Sequence, residues 1–210
     1  MTANTDPYER VLRSFKRERL LMESDPLLPS VVGIVIGGRI RGSWWGHPKG
    51  KEIWRVLKRF SARSDVLATR LVSGKVTFVH RTLWPELLSV CRSGEDWQEA
   101  SLSRGAKRLL AEVKKKGEVR TDKTVSFGST QQPVGDSTRE LERRLLVYSE
   151  EIHTEKGTHA KLLLPWGAWA RRNGYVAKTV EVQAAKATLE RTVSRLNERY
   201  GAKGRLPWIN

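Results

Sequence analysis

Segment 44–52 holds an aromatic pair, an imidazole and a carboxylate close together in the chain. Trp44 and Trp45 are adjacent, His47 follows them, and Glu52 comes shortly after. An aromatic ring can hold a nucleobase that has left its helix, and a carboxylate can activate the water that attacks the base–sugar bond. These four residues are therefore the candidate catalytic group, and removal of a base from nucleic acid is the chemistry that they suggest.

Two other interpretations of this segment stay open. The Trp44–Trp45 pair can pack in a protein core, or it can stack on nucleic-acid bases without any chemistry. A desolvated lysine, Lys49 or Lys51, could also attack a sugar carbon directly. The chain carries neither of the glycine-rich fingerprints that bind nucleotide phosphates, so the sequence indicates no nucleotide cofactor.

A second candidate site lies in the sequence HTEKGTH, where His153, Glu155 and His159 could bind a metal. Gly157 predicts a turn across which the two histidines face each other, but this spacing is not that of a zinc-protease helix. The alternative is a hairpin tip whose histidines cap strands or contact phosphates. We therefore predict no cofactor, and these three residues are the only candidate metal ligands.

The charge of the chain favours a polyanionic partner. The 210 residues carry 39 Lys and Arg against 23 Asp and Glu, a formal net charge of +16. Such an excess is typical of proteins that bind nucleic acid, although a solvated basic surface is the alternative. The cations that we predict to contact nucleic acid are Arg39, Arg41, Lys49, Lys51, Arg55, Lys58, Lys75, Arg139, Arg143 and Arg144.

Cysteine content and hydropathy predict a cytoplasmic protein that does not enter the membrane. Cys91 is the only cysteine, which excludes an intramolecular disulfide and favours a reducing compartment. The N-terminal residues lack the apolar core of a signal peptide. No apolar run approaches the length of about 18 residues that a membrane-spanning helix needs.

Hydrophobic periodicity predicts an α+β chain of small helix-plus-hairpin modules with a long C-terminal helix. The predicted divisions are a basic N-terminal helix and linker (1–29), a first helix-hairpin module (30–95), a winged-helix-like module (96–176), and the C-terminal helix with its tail (177–210). In the first half, helices are predicted over 5–21, 48–61 and 86–90 and a hairpin over 65–81, while 31–36 fits either a strand or a buried helix. In the second half, helices are predicted over 102–116, 136–147, 165–172 and 178–200, a short strand over 118–121 and a hairpin over 148–164.

The order of elements over 102–164 is typical of a winged-helix module. Such a module places one helix in the major groove of DNA and lets the hairpin, or wing, contact the backbone or minor groove. Arg139, Arg143 and Arg144 would then lie on the helix that contacts DNA. The middle helix of the three-helix core is not evident from the sequence.

Two stretches of this half also resemble a known family. LSRGAKRLLAEVKKKGEV and STRELERRLLVYSEEIHTEKGTHAKLLLPW are similar to winged-helix bacterial proteins that include the YcaQ/AlkZ-type DNA glycosylases. GSWWGHPKGKEIW and LVSGKVTFVHRTLWP resemble uncharacterised bacterial proteins of similar layout, so that the resemblance covers 38–170. It implies DNA binding. The Gln-x-Gln or Gln-x-Asp motif of those glycosylases is missing, and their catalytic residues have no counterpart here.

Taken together, the sequence predicts a winged-helix-type protein that binds double-stranded DNA and acts in DNA repair, with a possible glycosylase-like activity on damaged or distorted DNA. The alternatives are a transcriptional regulator or chromatin-associated binder without enzymatic activity, and an RNA-binding protein.

Overall fold

The chain divides into two compact units, the first formed by 1–87 with 183–210 and the second by 88–182. Each unit combines helices with a three-stranded antiparallel sheet, which confirms the predicted α+β class and the small helix-plus-hairpin modules. The computed structural model describes residues 6–40, 42–123, 134–154, 159–176 and 178–209.

Helices and strands are short in both units, except for the last helix. The elements up to the first division are α1 (Pro7–Glu18), β1 (Leu20–Met22), α2 (Val31–Ile36), α3 (Gly50–Ser61), β2 (Val66–Arg70), β3 (Val76–His80) and α4 (Trp84–Cys91). The elements that follow are α5 (Asp96–Glu99), α6 (Arg104–Lys116), β4 (Val119–Arg120), α7 (Val134–Arg143), β5 (Tyr148–His153), β6 (His159–Leu164), α8 (Trp166–Arg172) and α9 (Val182–Tyr200). The first division falls within α4, and the second falls at the start of α9.

The sheet of the first unit has the strand order β1–β3–β2, and β3 pairs antiparallel with both neighbours. The sequence predicts the β2–β3 hairpin from two β-branched runs around a Ser-Gly turn, and the structure confirms it. Ser73 and Gly74 form the turn with left-handed φ values of 51° and 66°. Glycine adopts this conformation without a Cβ penalty, whereas Ser73 carries backbone strain.

Three phenylalanines join α1, α3 and β3 in the core of the first unit. Phe60 lies between Phe15 and Phe78, with ring centroids 4.9 and 5.1 Å apart in edge-to-face geometry. All three rings are buried. Because each aromatic pair contributes about 0.5–1.5 kcal/mol beyond its buried area, these contacts fix the rotation of α3, and with it the residues that α3 exposes.

Several boundaries in the first unit differ from the prediction. The helix predicted over 5–21 ends at Glu18, because Arg19 adopts a left-handed φ of 64° and the following residues pair as β1. The run 31–36 forms a helix, α2, which Ser30 caps by accepting a hydrogen bond from a backbone N–H. The helix predicted from residue 48 begins two residues later, after a tight turn.

The second unit repeats the strand order as β4–β6–β5. The sequence offers Ser101 or Ser103 as the cap of α6, and the structure selects Ser103, whose hydroxyl accepts a hydrogen bond from the backbone N–H of Ala106. Gly117 ends this helix in the left-handed conformation, as predicted. The hairpin β5–β6 is confirmed. The helix predicted over 136–147 is displaced, since α7 begins at Val134 and ends at Arg143.

A one-turn helix, α5, lies in a segment that the sequence predicts to be a loop. Glu95 and Gln98 form a reciprocal capping box around it, in which each side chain accepts a hydrogen bond from the backbone of the other. Gln98 is fully buried and also donates to the carbonyl of Arg144 over 3.3 Å. A single glutamine therefore holds the start of α5 and the segment after α7.

The long C-terminal helix α9 is confirmed, and all but its first residue belongs to the first unit. The segment after it returns to the β2–β3 turn. The N–H of Ser73 donates to the carbonyl of Arg205 over 2.7 Å, and the N–H of Arg205 donates to the Ser73 hydroxyl over 3.1 Å. A Cβ on Gly204 would lie 2.8 Å from a methyl carbon of Val72, so glycine is required at this approach. The divisions predicted at 29, 95 and 176 are finer than the two units and stay a prediction.

Candidate nucleic-acid interface

Helix α3 separates its side chains into a buried face and a basic exposed face. Its buried residues are Ile53, Val56, Leu57 and Phe60. Its exposed residues include Lys51, Trp54, Arg55 and Lys58, which follow each other at intervals of three, one and three and therefore share one side of the helix. We call these four residues the α3 face.

The cations of the α3 face carry charge that no carboxylate among the described residues neutralises by an ion pair. Within the part of the chain that the structure describes, Lys51, Arg55 and Lys58 form no ion pair with a carboxylate. Exposed charges of one sign on one side of a helix create a local positive potential. This potential is available to a polyanion.

The structure exposes Trp54, which the sequence predicts to lie in the apolar stripe of α3. The spacing of Ile53, Trp54, Leu57 and Phe60 suggests a single apolar stripe, but Trp54 is 48% exposed and lies among the cations of the α3 face. The buried stripe is completed by Val56 instead. Sequence reasoning therefore missed Trp54 as a candidate functional residue, although its position three residues after Lys51 and one before Arg55 was a usable signal.

The adjacent residues Trp44 and Trp45 of the candidate catalytic group have one buried and one exposed ring. Trp44 is buried, and its indole N–H donates to Glu23 Oε1 over 3.3 Å. Trp45 stacks on Trp44 with ring centroids 4.2 Å apart, yet 69% of Trp45 is exposed. Its centroid also lies 5.9 Å from that of Trp54. The structure thus brings Trp45 to the α3 face, and only Trp45 of the adjacent pair is accessible to a ligand.

The turn before α3 positions this aromatic group. The N–H of His47 donates to the Trp44 carbonyl over 3.0 Å, and the N–H of Gly50 donates to the His47 carbonyl over 2.7 Å. The imidazole Nδ1 of His47 accepts from the N–H of Lys49 over 3.1 Å. His47 is therefore a turn-forming residue, and Glu52 lies half-buried in the first turn of α3.

Lys49 and Lys75, which the sequence predicts to contact nucleic acid, bind groups of the first unit itself. Lys49 Nζ donates to the carbonyls of Val35 and Ile36 at 3.2 and 3.3 Å, where it satisfies the C-terminal end of α2. Lys75 Nζ lies 2.6 Å from Asp25 Oδ2. Both cations stabilise the fold, while Arg39 is exposed three residues after the end of α2. Arg41 lies outside the described residues.

Helix α7 is the candidate DNA-contacting helix of the second unit, and two of the three predicted arginines, Arg139 in the helix and Arg144 just after its end, form internal contacts. Arg139 forms an ion pair with Asp136 one turn before it. Arg144 donates to the carbonyl of Trp97 and, over 2.6 Å, to the hydroxyl of Ser101. Arg143 is exposed. The three arginines lie close together but leave less free charge than the α3 face.

The candidate metal site is described only in part. His153 and His159 pair across β5 and β6, with their rings 4.9 Å apart, so the predicted facing arrangement of the histidines is confirmed. Glu155 lies outside the described residues. Among the residues that are described, no group of three or more His, Cys, Asp or Glu side chains is placed to hold a metal ion.

Comparison with known proteins gives no relative for this chain: no family model, no curated protein and no solved structure matches it. The relation to the YcaQ/AlkZ-type glycosylases therefore stays a prediction. Within the described ranges, no helix is both long and apolar enough to cross a membrane.

Proposed function

We propose that the protein binds double-stranded DNA and that the α3 face makes the principal contact. The observation that carries this proposal is the row of cations on one exposed side of α3, which form no ion pair with the carboxylates that the structure describes. Phosphate neutralisation by such cations supplies most of the affinity of DNA-binding proteins. The net charge of +16 supports the same partner.

The order of elements in the first unit supports α3 as the helix that enters a groove. Helix, strand, two helices and a two-stranded hairpin follow each other from α1 to β3, and the first strand pairs with the last. This is the order that a winged-helix module uses to present its third helix to the major groove. In the first unit that third helix is α3.

The second unit supports a weaker, additional contact. Its strand order is the same, and α7 takes the position that α3 occupies in the first unit. Because Arg139 and Arg144 already bind groups of the protein, we expect α7 to contribute less to the affinity than α3.

Damaged or distorted DNA is the substrate that we propose, and the exposed rings of Trp45 and Trp54 favour it over a purely sequence-selective role. An exposed aromatic ring can stack on a base that has lost its partner. A glycosylase-like activity would use Trp45, His47 and Glu52, since the ring of Trp44 is buried. A transcriptional regulator and an RNA-binding protein remain the alternatives.

The test is anisotropy of a labelled 20-base-pair duplex, titrated at several salt concentrations with the wild type and with a Lys51→Glu/Arg55→Glu/Lys58→Glu variant. We expect the variant to lose at least about 100-fold in affinity at low salt, because three phosphate contacts become repulsive. An Arg139→Glu/Arg143→Glu variant is the comparison in the second unit and should lose less affinity than a Lys51→Glu/Arg55→Glu variant, which reverses the same number of charges. Equal affinity of the triple variant and the wild type would contradict the proposal. Tighter binding of single-stranded RNA than of the duplex would favour the RNA-binding alternative.

A further inference from the structure

Two large aromatic side chains lie side by side on the surface of the first unit. Trp45 is 69% exposed and Trp54 is 48% exposed, and their ring centroids are 5.9 Å apart. Single exposed apolar residues are common on protein surfaces, but adjacent large ones mark binding sites. We call Trp45 and Trp54 the tryptophan pair.

Contacts with buried residues of the first unit hold Trp45 in position. Trp45 stacks on Trp44 at 4.2 Å with an interplanar angle of 20°, and Trp44 is buried in the hydrophobic core of the first unit. The N–H of Trp44 donates to Glu23, and the hydrogen bonds of the turn fix the backbone on either side of His47. A ring that is already ordered loses little conformational entropy when a ligand stacks on it.

The charges around the pair identify the ligand. Lys51 and Arg55 flank Trp54 on the α3 face, and neither forms an ion pair with a described carboxylate. A ligand that satisfies both features carries an aromatic plane next to a negative charge. An unpaired nucleotide has both, and its base is free to stack because it has left the double helix.

Resting on the proposed DNA binding, we infer that the tryptophan pair binds one unpaired base of a DNA strand while the cations of the α3 face hold the adjoining phosphates. A base placed between two rings needs them about 7 Å apart, twice the stacking distance of about 3.5 Å. The rings are closer than this and tilted by 37°. The base therefore stacks on the solvent-exposed face of one of the two rings. DNA with a bulged or unpaired base should then bind more tightly than fully paired DNA.

The experiment compares a fully paired duplex with the same duplex carrying one bulged base, using the full-length chain. Anisotropy gives the two Kd values for the wild type, Trp45→Ala and Trp54→Ala, and Ile209→Ala serves as a matched control because it truncates another exposed apolar side chain. Base stacking on one aromatic ring changes affinity by at least about fivefold. We expect the wild type to prefer the bulged duplex by about that factor, each tryptophan variant to bring the ratio of the two Kd values close to one, and Ile209→Ala to keep the wild-type ratio.

Two further variants separate stacking from a structural effect. Trp45→Phe and Trp54→Phe keep an aromatic plane and should retain part of the preference, and tryptophan fluorescence should be quenched more by bulged than by paired DNA. If the wild type binds both duplexes equally, the inference fails while the proposed DNA binding stands. If neither duplex binds, the proposed function itself fails. If the alanine variants keep the preference but dissolve a self-associated form of the chain in sedimentation, the pair is a protein contact and the inference is overturned.

Discussion

The hydroxyl of Tyr200 donates a hydrogen bond of 2.9 Å to Oε1 of Glu18, so the last turn of α9 and the last residue of α1 share one buried carboxylate. Glu18 is fully buried. Arg17 Nε lies 2.6 Å from the same oxygen, and guanidinium groups of Arg195 and Arg199 lie 3.7 and 3.5 Å from the carboxylate. Burial alone would raise the pKa of Glu18, but the hydrogen bonds from Arg17 and Tyr200 and the nearby positive charges outweigh burial and lower the pKa.

Replacing Glu18 by Gln should therefore weaken the attachment of α9 in a pH-dependent way. We expect the free energy of unfolding at pH 7 to fall by roughly 1.5–3 kcal/mol, the usual contribution of a hydrogen bond to a charged group. The native carboxyl has a lowered pKa, so its contribution is complete above the unfolded pKa of about 4.3 and is lost as the pH falls through the native pKa. Urea unfolding at pH 7 and pH 4 should show a large difference between variant and wild type at pH 7 and a smaller one at pH 4.

Tyr200→Phe is the matched control for this change, because it removes one hydrogen bond and keeps the carboxylate. Its loss of stability should be smaller than that of Glu18→Gln, and its pH dependence should stay close to that of the wild type. A difference between Glu18→Gln and the wild type that does not shrink on acidification would contradict the assignment of a lowered pKa.

The salt dependence of DNA binding should change when one cation of the α3 face is removed. Each phosphate contact contributes a slope of about −0.9 to the plot of log affinity against log salt concentration. We expect Lys58→Ala to make this slope shallower by about one unit. Lys203→Ala removes an exposed lysine from the segment after α9 and should leave the slope unchanged. Equal slopes for Lys58→Ala and Lys203→Ala would place the DNA elsewhere.

The buried amide of Gln98 should be a stability determinant of the second unit. Its oxygen accepts from the hydroxyl of Ser93 at 3.1 Å and from the N–H of Glu95 at 3.2 Å, and its nitrogen donates to the carbonyls of Cys91 and Arg144. Gln98→Leu keeps the volume but removes the partner of the Glu95 N–H and of the Cys91 and Arg144 carbonyls, so we expect a loss of about 2 kcal/mol in urea unfolding.

An exposed residue of the same unit provides the comparison for Gln98. Lys115 lies in the last turn of α6, and Lys115→Leu should change the free energy of unfolding by less than about 0.5 kcal/mol. If the two leucine variants are equally stable, the hydrogen bonds of Gln98 contribute nothing beyond their replacement by apolar contacts.

Cys91 should be inert in the folded protein. The thiol is buried, and burial raises its pKa well above the ordinary value, although the charge of Arg92 acts in the opposite direction. Because the thiolate is the reactive form, each pKa unit lowers the reactive fraction about tenfold. We expect a chromogenic disulfide reagent at pH 8 to react at least about ten times more slowly with the native protein than with the urea-unfolded protein. Equal rates would show that the thiol is accessible in the native state.

Elements with strong local signals could be predicted from the sequence. The end of α6 at Gly117 and the Ser73-Gly74 turn each depend on local conformation, and the structure confirms both. The limits of α1 could not be predicted, because the helix ends where Arg19 turns the chain so that β1 pairs with β3, a contact between residues far apart in the sequence.

The candidate site was only partly predictable, because it too depends on contacts between residues far apart in the sequence. The basic residues of α3 are visible in the sequence, but helical spacing alone cannot tell which of Ile53 and Trp54 faces the core. The packing of Phe60 between Phe15 and Phe78 sets the rotation of α3 and exposes Trp54. Likewise, the separation of Trp44 from Trp45 depends on a distant acceptor, Glu23. The sequence does not show that Lys49 binds the C-terminal end of α2 and Lys75 binds Asp25, because these partners are distant in the chain.

The interleaved order of the two units has a consequence for biosynthesis. Residues 183–210 belong with 1–87, and the backbone of Arg205 binds the β2–β3 turn at Ser73. On the ribosome, the first unit therefore emerges without α9, and at about 5–20 residues per second the intervening segment 88–182 takes roughly 5–20 s to be translated. The second unit is contiguous and can complete its fold as soon as it emerges. The part of the chain that is made first thus finishes folding last.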